Sequence, residues 1–284
     1  MLVKLIYANL AVFIGIQLLI LPFWLMGMQL SADQFALNWL AVPSDLGNLL
    51  IKPWTVFSYM FLHIGFFHIL MNMLWLYFLG QLFVEFLGEK KLWSVYVAGG
   101  LGGAALYILF YNLFPVFESS VSVSKALGAS ASVMAIVVAV ATYAPDFSIR
   151  LLLFGNVKLK YVALVVFILD VISISNSNSG GHIAHIGGAA MGFFFAKQWR
   201  KGKDITAWVN QASAFLIAVF KPSKSKMKVK YSKSKANRKA NDYTSRKKEE
   251  QNRVDEILDK ISRSGYDSLS KDEKDFLFRA SNNK

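Results

Sequence analysis

Cysteine is missing from the chain altogether. That excludes a disulfide framework, a thiol nucleophile and a thiolate metal site, and it leaves redox chemistry silent about compartment. Acidic side chains are few, 18 Asp and Glu against 31 Lys and Arg, for a formal charge of +13. Charged residues of both signs make up only 17% of the sequence while hydrophobic ones make up 55%, which excludes global disorder. The first 200 residues are also too apolar for a nucleic-acid-binding reading to lead. Histidine occurs four times, as His63, His68, His182 and His185, and nowhere after that.

The basic excess is uneven. Residues 1–203 carry 12 basic and 7 acidic side chains, residues 204–248 carry 12 and 2, and residues 249–284 carry 7 and 9. Charge thus divides the 284 residues into an apolar body and a basic tail, in keeping with roughly 150 residues per domain.

What the body has in quantity is long apolar runs. A hydrocarbon layer about 30 Å thick takes a helix of about 20 residues. Runs of suitable length fall at residues 5–28, 67–87, 92–114, 126–143, 161–175 and 182–199. The first is too long for a removed signal peptide and lacks its small-residue cleavage pattern. Residues 53–65 read as a partly embedded outer loop ahead of the second run. The expected fold class is an all-α polytopic membrane protein with six transmembrane helices, the fifth rather short. Lys and Arg gather in loop 88–91, in loop 144–160 and at the exit of span six, while the alternate loops hold only Lys52 and Lys125. Because positive loops stay cytoplasmic, both termini are expected inside. Asn72, Ser130 and His185 then lie near the starts of spans two, four and six, at one depth just below the outer face.

Polar groups at that depth must be paired or line a wet cavity, and a functional role is the default expectation. Ser130 lies in Leu127-Gly128-Ala129-Ser130-Ala131-Ser132. A serine needs a base within hydrogen-bond reach, and neutral histidine is the usual one near pH 7. His185 supplies it from span six. Gly188-x-x-x-Gly192, just beyond it, would let that helix approach a neighbour closely. His68 and Asn72 are four apart and share a helix face. An Asn amide or an imidazole N–H is the kind of donor that an oxyanion on an attacked carbonyl requires. Taken singly, Ser130 and the glycine motif read first as ordinary helix packing, and the others have an interhelical hydrogen bond as their plain alternative. Together they supply nucleophile, base and oxyanion donors.

The combined pattern resembles the rhomboid family of intramembrane serine proteases. The matching elements are His63-Ile64-Gly65-Phe66-Phe67-His68-Ile69-Leu70-Met71-Asn72, Leu79-Gly80 with Glu85 and Gly88, Gly128-Ala129-Ser130, and Ala184-His185-Ile186-Gly187-Gly188 with Gly192. Their order and spacing cover about residues 5–200. The resemblance implies a six-helix rhomboid-like bundle in which Ser130 attacks the scissile carbonyl and His185 is general base, then general acid. It implies no third acidic member, no cofactor and no metal. Asn72, His68 and the Ser130 backbone N–H would stabilise the oxyanion, and Gly128 would permit the close loop geometry beside the nucleophile. Implied partners are transmembrane protein substrates, and the implied location is the plasma membrane of a bacterium, with the site open to the outer face. Two positions depart from the family pattern: Ala131 stands where a glycine usually follows the serine, and Met134 where an aromatic often packs under the histidine. Neither removes a reacting group. A catalytically inactive relative that binds transmembrane segments is the competing function, and a metal site or transporter built on the four histidines is a third.

Other residues are read as structural. Asp170, in span five, reads as a polar helix-end residue in preference to a triad member. Trp54, Trp75, Tyr77, Trp93 and Trp199 read as interfacial belts or packing. Gly99-Gly100-Leu101-Gly102-Gly103 reads as close helix contact, since a phosphate loop would need a lysine-bearing motif.

Four segments are expected: a transmembrane domain at 1–203, an interfacial amphipathic helix at 204–220, a basic linker at 221–251 and a cytoplasmic helical hairpin at 252–284. The amphipathic helix is expected to lie on the inner membrane face, with packing on the bundle as the alternative. Residues 221–248 hold 12 basic and one acidic side chain. They form a solvated linker or an attachment to anionic lipids at about 1 kcal/mol per basic group. Nucleic acid is not an expected partner, because aromatic residues interleave there only at Tyr231 and Tyr243. In the hairpin, Gly265 ends the first helix and Ser270-x-x-Glu273 is a capping box opening the second. This module resembles the small helical tail of some bacterial rhomboids.

Overall fold

The computed structural model describes residues 1–151, 154–175, 178–220 and 236–282. Twelve α-helices run through them in the order α1 (Leu2–Leu25), α2 (Gln29–Leu40), α3 (Leu46–Ile51), α4 (Thr55–Ser58), α5 (Phe66–Leu87), α6 (Glu89–Leu113), α7 (Ser130–Tyr143), α8 (Leu159–Ser173), α9 (Ser179–Trp199), α10 (Ala207–Phe220), α11 (Ala236–Ser264) and α12 (Lys271–Asn282). Two short antiparallel strand pairs join them: β1 (Val42–Pro43) with β2 (Lys125–Ala126), and β3 (Ser148–Leu151) with β4 (Gly155–Lys158). The chain divides into two compact units, Met1–Lys221 and Pro222–Lys284.

Among the described residues of the first unit, three helices are long and apolar enough to cross a membrane by length and composition: α1, α5 and α6. Gly88, at φ 85°, ends α5 and opens α6 with no intervening loop. The core is α7, whose residues from Ala131 to Val137 are all buried. It is enclosed by α5, α6, α8 and α9. Small residues make this enclosure tight. A Cβ on Gly99 or Gly103 of α6 would collide with the methyl of Ala135 or Ala131, and one on Gly188 or Gly192 of α9 would fall on the carbonyl of Ala131 or Ala135. Both glycine pairs are thus close-contact seams, as their spacing led one to expect.

The structure differs from the sequence reading at the entry to α7. Residues 126–129 are not helical. Ala126 belongs to β2, Gly128 has φ 116°, and the helix begins at Ser130 itself. An apolar run does not distinguish a helix from a strand followed by a turn, and the turn residue here is glycine.

At the other end of the bundle, α10 is docked on α6. The Trp93 indole N–H donates to Ser213 Oγ at 3.0 Å, Ser94 and Thr206 hydroxyls lie 2.9 Å apart, and Lys91 pairs with Asp204. Burial raises the Asp204 pKa, but the Lys91 ammonium and the Thr206 hydroxyl and N–H outweigh it, so the group lies below its ordinary value. Trp208, Phe215, Leu216, Ile217 and Val219 remain exposed on the rest of α10. One flank of the helix is packed on α6 and the other is apolar and exposed.

The second unit is a helical hairpin. Gly265, at φ 78°, terminates α11, and Ile257 and Leu269 are its buried apolar residues. Ser270 and Glu273 form the capping box: the Ser270 N–H donates to Glu273 Oε2 at 2.7 Å and the Glu273 N–H to Ser270 Oγ at 3.3 Å. Lys260 of α11 pairs with Glu273 at 2.9 Å, and the Arg253 guanidinium covers the Phe276 ring at 4.9 Å. α11 opens at Ala236, inside the stretch read as a linker, whose residues 221–235 lie outside the described ones.

Candidate active site

A cavity of about 660 Å³ opens between α5, α7, α8 and α9, and its walls include His68, Asn72, Ser130 and His185. All four residues that the sequence singled out for chemistry thus face one space. Phe67, Trp75, Met134 and Val137 supply apolar wall, and Lys125, Asn178 and Asp170 supply further polar groups. Burial, then the charge of Lys52 nearby, lowers the pKa of the Lys125 ammonium. That amine donates to Asn38 Oδ1.

Ser130 is the first residue of α7, with Ala129 as its N-cap. Its N–H is one of the helix's first donors, which have no intrahelical acceptor, and it stands at the positive end of the helix dipole. The loop carrying it is tied down on its other side. The Gly128 N–H donates to the Tyr59 carbonyl at 2.8 Å, and the Ala129 N–H to His63 Nε2 at 3.3 Å. His63 Nδ1 lies 3.3 Å from the Phe61 carbonyl. One nitrogen accepts and the other faces an acceptor, so the His63 ring is the neutral Nδ1–H tautomer. It is fully buried, and its ring meets that of His68 edge-on at 5.0 Å.

Gly128 is required twice over. Its φ of 116° disfavours any side chain, and a Cβ there would sit 2.7 Å from His68 Nε2. Asn72 and His68 lie in the first turns of α5, where the Asn72 amide donates to the His68 carbonyl at 2.8 Å. An amide has two N–H groups, so one remains for the cavity. No hydrogen bond joins Ser130 to His185 among the described residues.

Asp170 has partners that the sequence reading did not name. It does lie in the last turn of α8, but it is 6% exposed, and its Oδ1 is bonded by His182 Nδ1 at 2.8 Å and by His185 Nδ1 at 2.9 Å. Its other oxygen, Oδ2, has no partner. The resemblance implied no acidic third member, and a buried carboxylate lies within hydrogen-bond distance of the histidine. Asp170, His182 and His185 also present one ligand atom each within 4.8 Å of one another, a spacing that a metal ion could bridge. Among the described residues, His63 and His68 meet each other edge-on beside Gly128, and His68 lines the same cavity as His185.

Sequence reasoning assigned no individual role to His63 and set Asp170 aside. The gathering of all four histidines at one level was the available signal for the first. For the second, only an ionisable residue inside an apolar run pointed to a partner, without naming it.

Fold and cavity together define a helical integral membrane protein with polar groups lining a chamber among its helices. The chain belongs to the rhomboid family: the rhomboid domain model matches residues 51–201, more than half of it. A second family model, a family of unknown function (DUF6576), matches residues 239–283. Among curated relatives, the mitochondrial RHOMBOID-like protein 12 of Arabidopsis thaliana is 31% identical over 159 residues of alignment, with 52% of this chain and 47% of the relative covered. The rhomboid protease GlpG of Salmonella choleraesuis (strain SC-B67) is 38% identical over 74 residues, 26% of each chain. GlpG of Salmonella newport (strain SL254) matches to the same extent. The chain thus spans about half the length of the plant relative and about a quarter of the two GlpG proteins.

Proposed function

We propose that this protein is an intramembrane serine endopeptidase that hydrolyses peptide bonds in or near transmembrane segments of other membrane proteins. The observation that carries the reading is the single cavity lined at once by Ser130, His185, Asn72 and His68. Ser130 Oγ attacks the scissile carbonyl carbon as His185 takes the hydroxyl proton. The oxyanion that forms is held by the Ser130 N–H, the free Asn72 N–H and the His68 ring. When the C–N bond breaks, His185 gives its proton to the leaving amine. A water molecule, deprotonated by the same ring, then releases the acyl group. No cofactor or metal takes part in this scheme.

The bundle spans the bilayer six times through α1, α5, α6, α7, α8 and α9, with both termini cytoplasmic and the cavity at the outer face of a bacterial plasma membrane. The basic loops and tail support this orientation, and the tail meets anionic lipid.

A second reading, a non-catalytic relative that binds transmembrane segments, draws on the missing Ser130–His185 hydrogen bond. Catalytic bonds are often long in a free enzyme, which weighs against giving that gap much force. One experiment separates the two. Purified protein in detergent is treated with a serine-directed phosphonate and with a model transmembrane substrate, alongside Ser130→Ala. Labelling and cleavage that vanish in the variant are the expected result. Absence of both in the unmodified protein rejects the protease reading in favour of binding.

A further inference from the structure

We infer that Asp170 is a positioning residue for His185: its carboxylate fixes the tautomer and direction of that imidazole, leaving Nε2 as the nitrogen that acts on Ser130. The inference rests on the reading of Ser130 and His185 as nucleophile and base.

An ionised carboxylate only accepts hydrogen bonds. The 2.9 Å contact between His185 Nδ1 and Asp170 Oδ1 therefore places the proton of the neutral ring on Nδ1. The lone pair is then on Nε2, the nitrogen remote from Asp170. In the other tautomer Nε2 would already carry a proton and could not take one from serine. Among the described residues, no other hydrogen bond reaches the His185 ring. Val133 and Val137, on the α7 wall of the same cavity, have no side-chain group that could orient it by hydrogen bonding.

The carboxylate is itself held. It projects from a helix, is 6% exposed, and accepts from His182 as well as His185, one turn apart on α9. It cannot turn away from one histidine without disturbing its bond to the other. Packing alone does not account for the arrangement, because it leaves Oδ2 buried with no partner.

The test uses the full chain in detergent. Asp170→Asn and Asp170→Glu are compared with the unmodified protein for kcat and KM on a model transmembrane substrate and for thermal unfolding midpoint. In parallel, the His185 tautomer is read by ¹⁵N NMR of histidine-labelled Ser130→Ala, with and without Asp170→Asn. Asn can donate to Nδ1 as readily as accept from it, so Asp170→Asn lowers kcat by roughly 10²–10⁴-fold. KM and the unfolding midpoint stay unchanged, and the ring shifts away from Nδ1–H. Asp170→Glu recovers part of kcat. Unchanged kcat, a loss explained by unfolding, or an unchanged tautomer overturns the inference. So does activity that a chelator removes and zinc restores, since Asp170 would then be serving as a metal ligand. If the unmodified protein shows no Ser130-dependent labelling, the protease reading fails, and the tautomer measurement still decides whether Asp170 sets His185.

Discussion

Gly188 of α9 lies against the backbone carbonyl of Ala131, the residue after Ser130, with no room between them for a Cβ. The helix bearing the proposed base and the helix opened by the proposed nucleophile are therefore in backbone contact one residue beyond the site. Their spacing is set by main chain and methyl groups, not by long side chains.

Gly188→Ala tests that spacing. The added methyl forces α9 away from α7, an overpacking cost of about 1–3 kcal/mol. A lower unfolding midpoint in detergent and slower phosphonate labelling of Ser130 are expected. Gly15→Ala in α1, where a Cβ meets nothing within 4 Å, should leave both measurements as they were.

Gly128→Ala acts on the loop. The substitution strains a backbone at φ 116° and pushes His68 Nε2 aside. Cleavage and labelling should fall together by at least about tenfold, as expected for losing one well-placed oxyanion donor. If labelling stays at the unmodified rate, the loop tolerates the methyl and this account of Gly128 is wrong.

His63 is predicted to support Ser130 without reacting. His63→Ala leaves the Ala129 N–H buried with no acceptor, a loss of about 1–3 kcal/mol. His63→Gln keeps a polar acceptor and should recover part of both the unfolding midpoint and the labelling rate. Equal damage from the two variants would show that ring packing, not the hydrogen bond, is what matters.

The tail gives a pH prediction. The Lys260 ammonium first, then the Ser270 N–H, holds the Glu273 carboxyl well below its ordinary 4.5, at about 2. A depressed carboxylate contributes stability that is present above the ordinary value and lost as pH falls through the depressed one. The order of α12 should therefore be constant from neutral pH down to about 4.5 and weaken between there and 2. The Glu273 side-chain carbon shift, followed by NMR, should titrate near 2, and Lys260→Met should raise that midpoint.

Much of this architecture could be read from the chain. Four polar residues in three apolar runs pointed to one site because burying them otherwise is unfavourable. The hairpin was legible because Gly265 and the Ser270–Glu273 pair are local signals, complete within a few residues. What escaped was of two kinds. The first is local conformation inside apolar sequence: residues 126–129 look helical by composition, yet β2 and Gly128 occupy them. The strand pair β3–β4 within loop 144–160 gave no warning for the same reason, its strands being only four residues long. The second is rotation between helices. Periodicity on α8 could not reveal that Asp170 turns toward α9, since that direction depends on the connection between them and on how the glycines of α9 seat against α7.

Side-chain entropy has no purchase on the glycine contacts of α7 with α6 and α9. At Gly99, Gly103, Gly188 and Gly192 they are α-carbons, alanine methyls and carbonyl oxygens, none of which has a rotamer to gain by loosening. Warming offers such a seam no softened middle stage in which side chains begin to wander while the helices stay in place. At those four glycines, then, the place of Ser130 relative to α6 and α9 is held by main chain and methyl groups.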